Sequence, residues 1–141
     1  MIICDARAED IPAIAALEEI CFAADPWPME IIDRFRERFI VAMEGPELIG
    51  YAALSAILDE GNLDNIAVAP AHRRRGVGET LLEAVIRRCR EQQLSLLYLE
   101  VRASNRPALD LYEKHGFTQV GRRKNYYEKP REDAILMTLV L

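Results

Sequence analysis

The segment from Ile66 to Cys89 passes from a short apolar strand, through an arginine-rich turn with two glycines, into an amphipathic helix. Apolar residues that recur on one helix face indicate the helical part, and they are Val77, Leu81, Leu82, Val85, Ile86 and Cys89. A strand that runs into a helix in this way is typical of a domain in which helices pack on a sheet.

The turn from Arg73 to Gly78 has the chemistry of an anion site. Gly76 and Gly78 leave the first amides of the helix unshielded at its positive end, and three arginines add charge, so that a pyrophosphate fits. The pattern is not a Walker loop, because no Lys-Ser/Thr pair follows the glycines. It is not a dinucleotide fingerprint either, because Leu81 stands at the third glycine position. A glycine-loosened turn with solvated arginines is the structural alternative.

Hydrophobic periodicity and turn residues predict the other elements. The strands are expected over 2–4, 39–43, 48–58, 63–68, 96–102, 117–121 and 134–141, with a turn over 59–62. Helices are expected after Asp10, after Pro28, over 76–92 and from Asn105 to about His115, with Asp10 and Asn105 as caps and Gly116 as a left-handed stop. This order predicts a single α/β (α+β) domain over 1–141, with a mixed, mostly antiparallel sheet of six or seven strands and helices on both faces.

Charge is divided unevenly along the 141 residues, whose net charge is −5. Residues 1–70 carry 4 basic and 14 acidic side chains, and residues 71–141 carry 14 and 9. Such a division suggests two different partners on two faces, although solvated charges can also fall in this way. A net acidic chain without interleaved basic and aromatic residues argues against nucleic acid.

The cysteines Cys4, Cys21 and Cys89 are odd in number and widely spaced, which favours free thiols and a cytoplasmic protein. They lack the spacing of a zinc site, and neither histidine completes one, so no metal is expected. The sequence also has no apolar run of the ~18 residues that span a bilayer and no secretory signal, so no membrane association is expected.

Glu100 is the one charged residue inside an apolar strand, Leu96–Val101. Burial would raise the pKa of its carboxyl toward the range of a general base. The alternative is a carboxylate neutralised by Arg102. In the following helix Asn105 and Tyr112 are seven residues apart and share a face, where Tyr112 could equally be a core aromatic.

The spacing Arg73-x-x-Gly76-x-Gly78 after a strand, together with the order of elements, resembles the GCN5-related N-acetyltransferase (GNAT) superfamily. The resemblance implies the GNAT fold and acetyl-CoA as co-substrate. It implies that the edge of Ile66, Ala67 and Val68 pairs with the pantetheine arm, as an added strand would. The pyrophosphate would bind the backbone amides of Arg74, Arg75, Gly76, Val77, Gly78 and Glu79.

Longer matches narrow the resemblance to the RimI family, bacterial enzymes that acetylate the N-terminal alanine of a small-subunit ribosomal protein. The segments that carry it are Leu58–Glu60, Asn65–Val68, Leu99–Asn105, Leu111–Glu113, Gly116–Phe117, Arg123–Tyr127 and Glu132–Ile135. The resemblance implies that Glu100 is the general base, Tyr112 the general acid and Asn105 a CoA contact.

On the side of the acceptor, the family pattern Pro-Trp-Ser is replaced by Pro26-Trp27-Pro28, and Trp27 is expected to line the peptide groove. Tyr126 and Tyr127 suit an extended peptide, although stacked core aromatics are the alternative. Glu60 and Asp64 are expected to attract the basic residues of a ribosomal protein's N-terminal peptide. Other protein N-termini, lysines, small amines and a non-catalytic CoA-binding module remain as alternative functions.

Overall fold

The computed structural model describes all residues, 1–141, and places seven strands in one sheet in the order β1-β2-β3-β4-β5-β7-β6. The strands are β1 (Ile2–Asp5), β2 (Phe39–Glu44), β3 (Glu47–Ile57), β4 (Glu60–Val68), β5 (Leu96–Arg102), β6 (Thr118–Tyr127) and β7 (Glu132–Val140). Only β4 and β5 are parallel, so the expected mixed, mostly antiparallel sheet is confirmed.

Four α-helices cover the two faces of the sheet: α1 (Ile11–Cys21), α2 (Met29–Arg34), α3 (Val77–Glu91) and α4 (Arg106–Lys114). The apolar stripe of α3 packs with α4 in a core of 22 buried residues, in which Leu81, Leu82 and Cys89 are fully enclosed. Helices α1 and α2 cover part of the opposite face with a core of nine residues. No helix combines the length and the apolar character that crossing a membrane requires.

Strands β4 and β5 separate soon after they meet. Their only residue pairs join 60–62 to 96–98, so the rest of β4 has no neighbour on that side. The Ala69 N–H donates to the Ile49 carbonyl of β3 at 2.8 Å. Because backbone groups in a strand alternate in direction, Ala67 also bonds toward β3, while Ile66 and Val68 direct their N–H and C=O groups into the gap.

A β-bulge in β4 changes which residues face which layer. Ala53 pairs with Asn65 and Leu54 with Leu63, so Asp64 is the extra residue. Leu63 packs in the α3 core, whereas Asp64 and Asn65 both make contacts on the α1–α2 face. The bulge therefore places two successive polar side chains on the same face, beside the gap.

Several local predictions are confirmed and two are wrong. Asn105 caps α4, and Gly116 is left-handed with φ +95°. Asp10 precedes α1 but does not bond to its amides; its carboxylate accepts the Arg7 N–H at 2.8 Å and closes a 3₁₀ turn. Glu60 lies in β4 instead of in a turn, because Leu58 adopts the left-handed conformation and only two residues connect β3 to β4.

Gly50 in β3 sets how closely α3 approaches the sheet. A Cβ at Gly50 would lie 2.9 Å from the Ala67 carbonyl oxygen and 3.1 Å from the Leu81 side chain. Because neither neighbour can move without disturbing the core, Gly50→Ala should lower the free energy of unfolding by about 1–3 kcal/mol in urea titrations. Gly78→Ala is the matched control, since a Cβ there meets nothing closer than 3.7 Å. An equal loss in both variants would contradict this account of the packing.

Candidate active site

The connection between β4 and α3 presents the start of a helix to the open gap. Gly76 caps α3 in a left-handed conformation (φ +79°), and the N–H groups of Val77, Gly78 and Glu79 have no acceptor within the helix. Arg74 is also left-handed, with φ +64°. Successive amides at a helix N-terminus, without a side chain at Gly78, can bind a diphosphate.

The three arginines of this turn differ in what they contact. The Arg73 Nε donates to the Val68 carbonyl at 3.2 Å and so ties the turn to β4. The Arg75 guanidinium pairs with Glu44 at 2.9 Å. Arg74 makes no ion pair, which leaves its charge available to a bound anion. The nearby Glu79 carboxylate pairs with Lys114 at 3.0 Å, and this hydrogen bond lowers its pKa.

On the other side of the gap, Glu100 lies beyond the last β4–β5 pair, on the α1–α2 face of β5. The Tyr98 hydroxyl donates to its Oε1 at 2.7 Å, and interaction with this carboxylate raises the pKa of the Tyr126 hydroxyl. Burial, and then the bond to Glu100, raise the pKa of Tyr98 to about 12, so that Tyr98 remains a donor at neutral pH. The structure therefore brings Glu100 and Tyr126 together, although they are distant in sequence.

Arg102 does not neutralise Glu100. Its guanidinium pairs with Glu132 at 3.2 Å, donates to two carbonyls of the β6–β7 hairpin, and lies 4.5 Å from the centre of the Tyr127 ring. The Tyr127 ring in turn meets Tyr126 edge to face, 5.1 Å between centroids. Arg102 and Tyr127 thus support the hairpin that carries Tyr126, and the Glu100 carboxylate accepts a hydrogen bond from the Tyr98 hydroxyl and forms no ion pair.

Tyr112 lies on α4, in the core on the opposite face of the sheet, and Asn105 is the N-cap residue of the same helix. The Tyr112 side chain is 5% exposed and packs on Phe117, and its hydroxyl has no hydrogen-bond partner in the protein. Burial raises the pKa of Tyr112 well above its ordinary value, so the phenol holds its proton at neutral pH. The Asn105 Oδ1 accepts the Ala108 N–H at 3.3 Å, which leaves the side-chain amide group of Asn105 as the part that could reach a ligand.

A cavity of about 230 Å³ lies between α2 and the sheet, on the same face as Glu100. It is lined by Trp27, Ile31, Phe35, Arg38, Phe39, Ala53 and Asp64. The Asp64 Oδ1 accepts a hydrogen bond from Ser55 at 3.0 Å, and burial raises its pKa. Glu60 is exposed, four residues earlier on β4 and about 13 Å away along the strand. The structure thus separates two carboxylates that were expected to act together.

Sequence reasoning missed Glu18, a residue of α1 that is 1% exposed. Its carboxylate accepts from the Tyr51 hydroxyl, the Trp27 N–H and the Asn65 amide. A signal was present, because Glu18 follows Ile14 by four residues on the apolar face of α1. A carboxylate in such a stripe must find buried donors.

Known proteins are similar to this chain in sequence and in fold. The profile described as the acetyltransferase (GNAT) family matches residues 9–117. The ribosomal protein bS18-alanine N-acetyltransferase of Escherichia coli is 38% identical over 135 residues, 92% of this chain and 90% of that protein. The enzyme of the same name from Haemophilus influenzae is 44% identical to this chain over 102 residues, which is 70% of this chain and 69% of that protein. A crystal structure of the Escherichia coli enzyme superposes with a TM-score of 0.90 at 36% identity, covering 99% of this chain and 92% of that one. The protein therefore belongs to the GNAT acetyltransferase family.

Proposed function

We propose that the protein transfers the acetyl group of acetyl-CoA to the N-terminal α-amine of a protein, and that the acceptor is the N-terminal alanine of ribosomal protein bS18. The observation that carries the proposal is the gap between β4 and β5, which has a helix N-terminus at one end and Glu100 on its wall. The names of the relatives in Escherichia coli and Haemophilus influenzae support the choice of acceptor. The cytoplasm, where ribosomal proteins are made, is the compartment that fits.

The residues around the gap fit acetyl-CoA, which supplies an activated acetyl thioester when bound. Ile66 and the Val68 N–H offer backbone groups to a pantetheine arm, as a neighbouring strand would. Ala67 bonds to β3 and the Val68 carbonyl to Arg73, so neither takes part at that edge. The amides from Arg74 to Glu79 bind the pyrophosphate, and the amide group of Asn105 contacts CoA.

Glu100 handles the proton of the acceptor amine. An α-amine has a pKa of about 8 and is largely protonated at neutral pH, so it must lose a proton before it can act as a nucleophile. The Glu100 carboxylate takes that proton, directly or through a water, while the hydrogen bond from Tyr98 fixes its orientation. Tyr112 keeps its own proton at neutral pH and can donate it to the leaving thiolate.

The α1–α2 face receives the peptide. Trp27 forms one wall of the cavity, and the half-exposed Tyr126, which packs edge to face on Tyr127, lies near Glu100. Asp64 at the cavity and Glu60 farther along β4 give this side negative charge, which suits a basic peptide. Exposed aromatic side chains and an acidic strand favour an extended, basic chain over a small amine.

The test of this function is mass spectrometry of peptides incubated with acetyl-CoA and the protein. A basic peptide with N-terminal alanine should gain one acetyl group on its α-amine, located by fragmentation. The same peptide with a blocked N-terminus and an internal lysine, and a polyamine, should stay unmodified. Acetylation of lysine or of the polyamine at comparable rates would contradict the proposed acceptor. Binding of acetyl-CoA without any transfer would indicate a non-catalytic module.

Replacing Gly78 with valine should weaken acetyl-CoA binding more than it weakens folding. The backbone has room for a Cβ, but a branched side chain would cover the amides that face the diphosphate. We expect the Kd in titration calorimetry to rise about 10-fold or more. The unfolding temperature should change little, and Gly78→Ala should lie between valine and the parent. Unchanged affinity in a folded Gly78→Val variant would show that the loop does not hold the cofactor.

Replacing Glu100 with glutamine should preserve acetyl-CoA binding and lower turnover by about 10²–10⁴-fold at neutral pH. The deficit should shrink as the pH rises toward the pKa of the amine, because the acceptor then loses its proton without help. Initial rates between pH 6.5 and 9.5 test this, with Glu83→Gln, an exposed carboxylate on α3, as the control. A loss that is the same at every pH would mean that Glu100 positions the acceptor and does not accept its proton.

A further inference from the structure

Glu18 is a buried carboxylate that the proposed reaction does not use. It lies in the last turns of α1 and is 1% exposed. Its Oε1 accepts the Trp27 N–H at 3.1 Å and the Asn65 Nδ2 at 3.2 Å, and its Oε2 accepts the Tyr51 hydroxyl. One side chain therefore joins α1 to the segment before α2, to β3 and to β4.

All three partners donate to Glu18, and a carboxylate satisfies them together because both of its oxygens accept. A glutamine in the same place has no charge and only one acceptor oxygen, so the bonds lose their charge assistance and the Tyr51 hydroxyl must accept from the NH₂ group instead of donating. Burial raises the pKa of Glu18 above its ordinary value, and the hydrogen bonds from Tyr51, Trp27 and Asn65 offset only part of this increase. Burying the Glu18 carboxylate costs desolvation free energy, which its hydrogen bonds offset. We infer that this carboxylate fixes the relative positions of the segments to which it bonds.

The groups that Glu18 holds border the two halves of the candidate site. Trp27 lines the cavity on the acceptor side, and its ring meets Phe39 edge to face at 6.0 Å. Asn65 immediately precedes Ile66, whose backbone groups face the β4–β5 gap. The segment 22–28 that leads to Trp27 contains no helix or strand, so the bond from Glu18 to the Trp27 N–H is a principal restraint on it.

We propose that Glu18 is a positioning residue that holds Trp27 against the sheet and so sets the shape of the acceptor cavity, without contacting either substrate. The role in acceptor binding rests on the proposed function, whereas the restraint on Trp27 does not. Loss of the carboxylate therefore weakens binding of the peptide and leaves binding of acetyl-CoA largely intact, because the helix N-terminus that binds the pyrophosphate lies elsewhere.

Trp27 is the only tryptophan in the chain, so its fluorescence reports the restraint directly. In Glu18→Gln, acrylamide should quench Trp27 about twofold more efficiently and its emission should shift to the red. Glu19→Gln removes the same charge from the next, exposed position of α1 and should leave the quenching efficiency and the emission wavelength unchanged. If Glu18→Gln does not fold, Glu18→Asp keeps the charge but shortens its reach. Unchanged quenching in a folded variant would overturn the proposal, as would failure of both variants to fold.

Steady-state kinetics then separate positioning from general destabilisation. We expect the KM for the peptide to rise about 10-fold in Glu18→Gln, as for loss of a charged hydrogen bond, with the KM for acetyl-CoA within twofold. Because Glu18 acts through Trp27, adding Glu18→Gln to a Trp27→Ala variant should raise the peptide KM little further. Equal increases in the KM for the peptide and the KM for acetyl-CoA would overturn the role in acceptor binding. Additive effects of Glu18→Gln and Trp27→Ala on the peptide KM would overturn it too. If the parent acetylates no peptide, the proposed function fails, and the quenching result still decides whether Glu18 restrains Trp27.

Discussion

The site depends on the failure of two parallel strands to stay paired. After three residue pairs β4 and β5 diverge, and the backbone groups of Ile66 and Val68 are left facing a gap inside the sheet. Unpaired strand groups normally attract another strand or are covered. Here Arg73 satisfies the Val68 carbonyl, and we propose that an extended ligand pairs with the remaining groups. The helix that follows brings its N-terminus to the end of the same gap.

The gap also separates two chemical environments. The face under α3 and α4 is a continuous apolar core that fixes the strand edges and buries Tyr112. The opposite face is only partly covered, by α1 and α2, and it holds Glu100, Asp64 and the aromatic cavity. The bulge at Asp64 contributes to the polar character of this face, because it turns the successive side chains of Asp64 and Asn65 to the partly covered side of the sheet. A linear co-substrate and a peptide can therefore meet at the gap from different sides.

Much of this fold could be predicted from the sequence, because its longest elements have strong periodic patterns. The stripe of α3 and the strand Leu96–Arg102 were located almost to the residue. Predictions failed where a long-range contact overrides a local signal. Glu60 resembles a turn residue but pairs with Leu96 in the sheet, and β6 extends to Tyr127 because it follows β7. For Glu18, the position in the apolar stripe of α1 was a local signal of burial, but no local pattern reveals its donors, two of which come from β3 and β4.

Amide hydrogen exchange at the edge of β4, followed by NMR with and without acetyl-CoA, tests the central claim most directly. The account predicts that the Val68 and Ile66 amides, which face the gap, exchange several-fold more slowly when acetyl-CoA is bound, together with amides of the turn before α3. The Ala67 amide bonds to β3 in either state and should not change, which makes it an internal control. Protection of Ala67 alone, or unchanged exchange at Val68 with acetyl-CoA bound, would contradict the account.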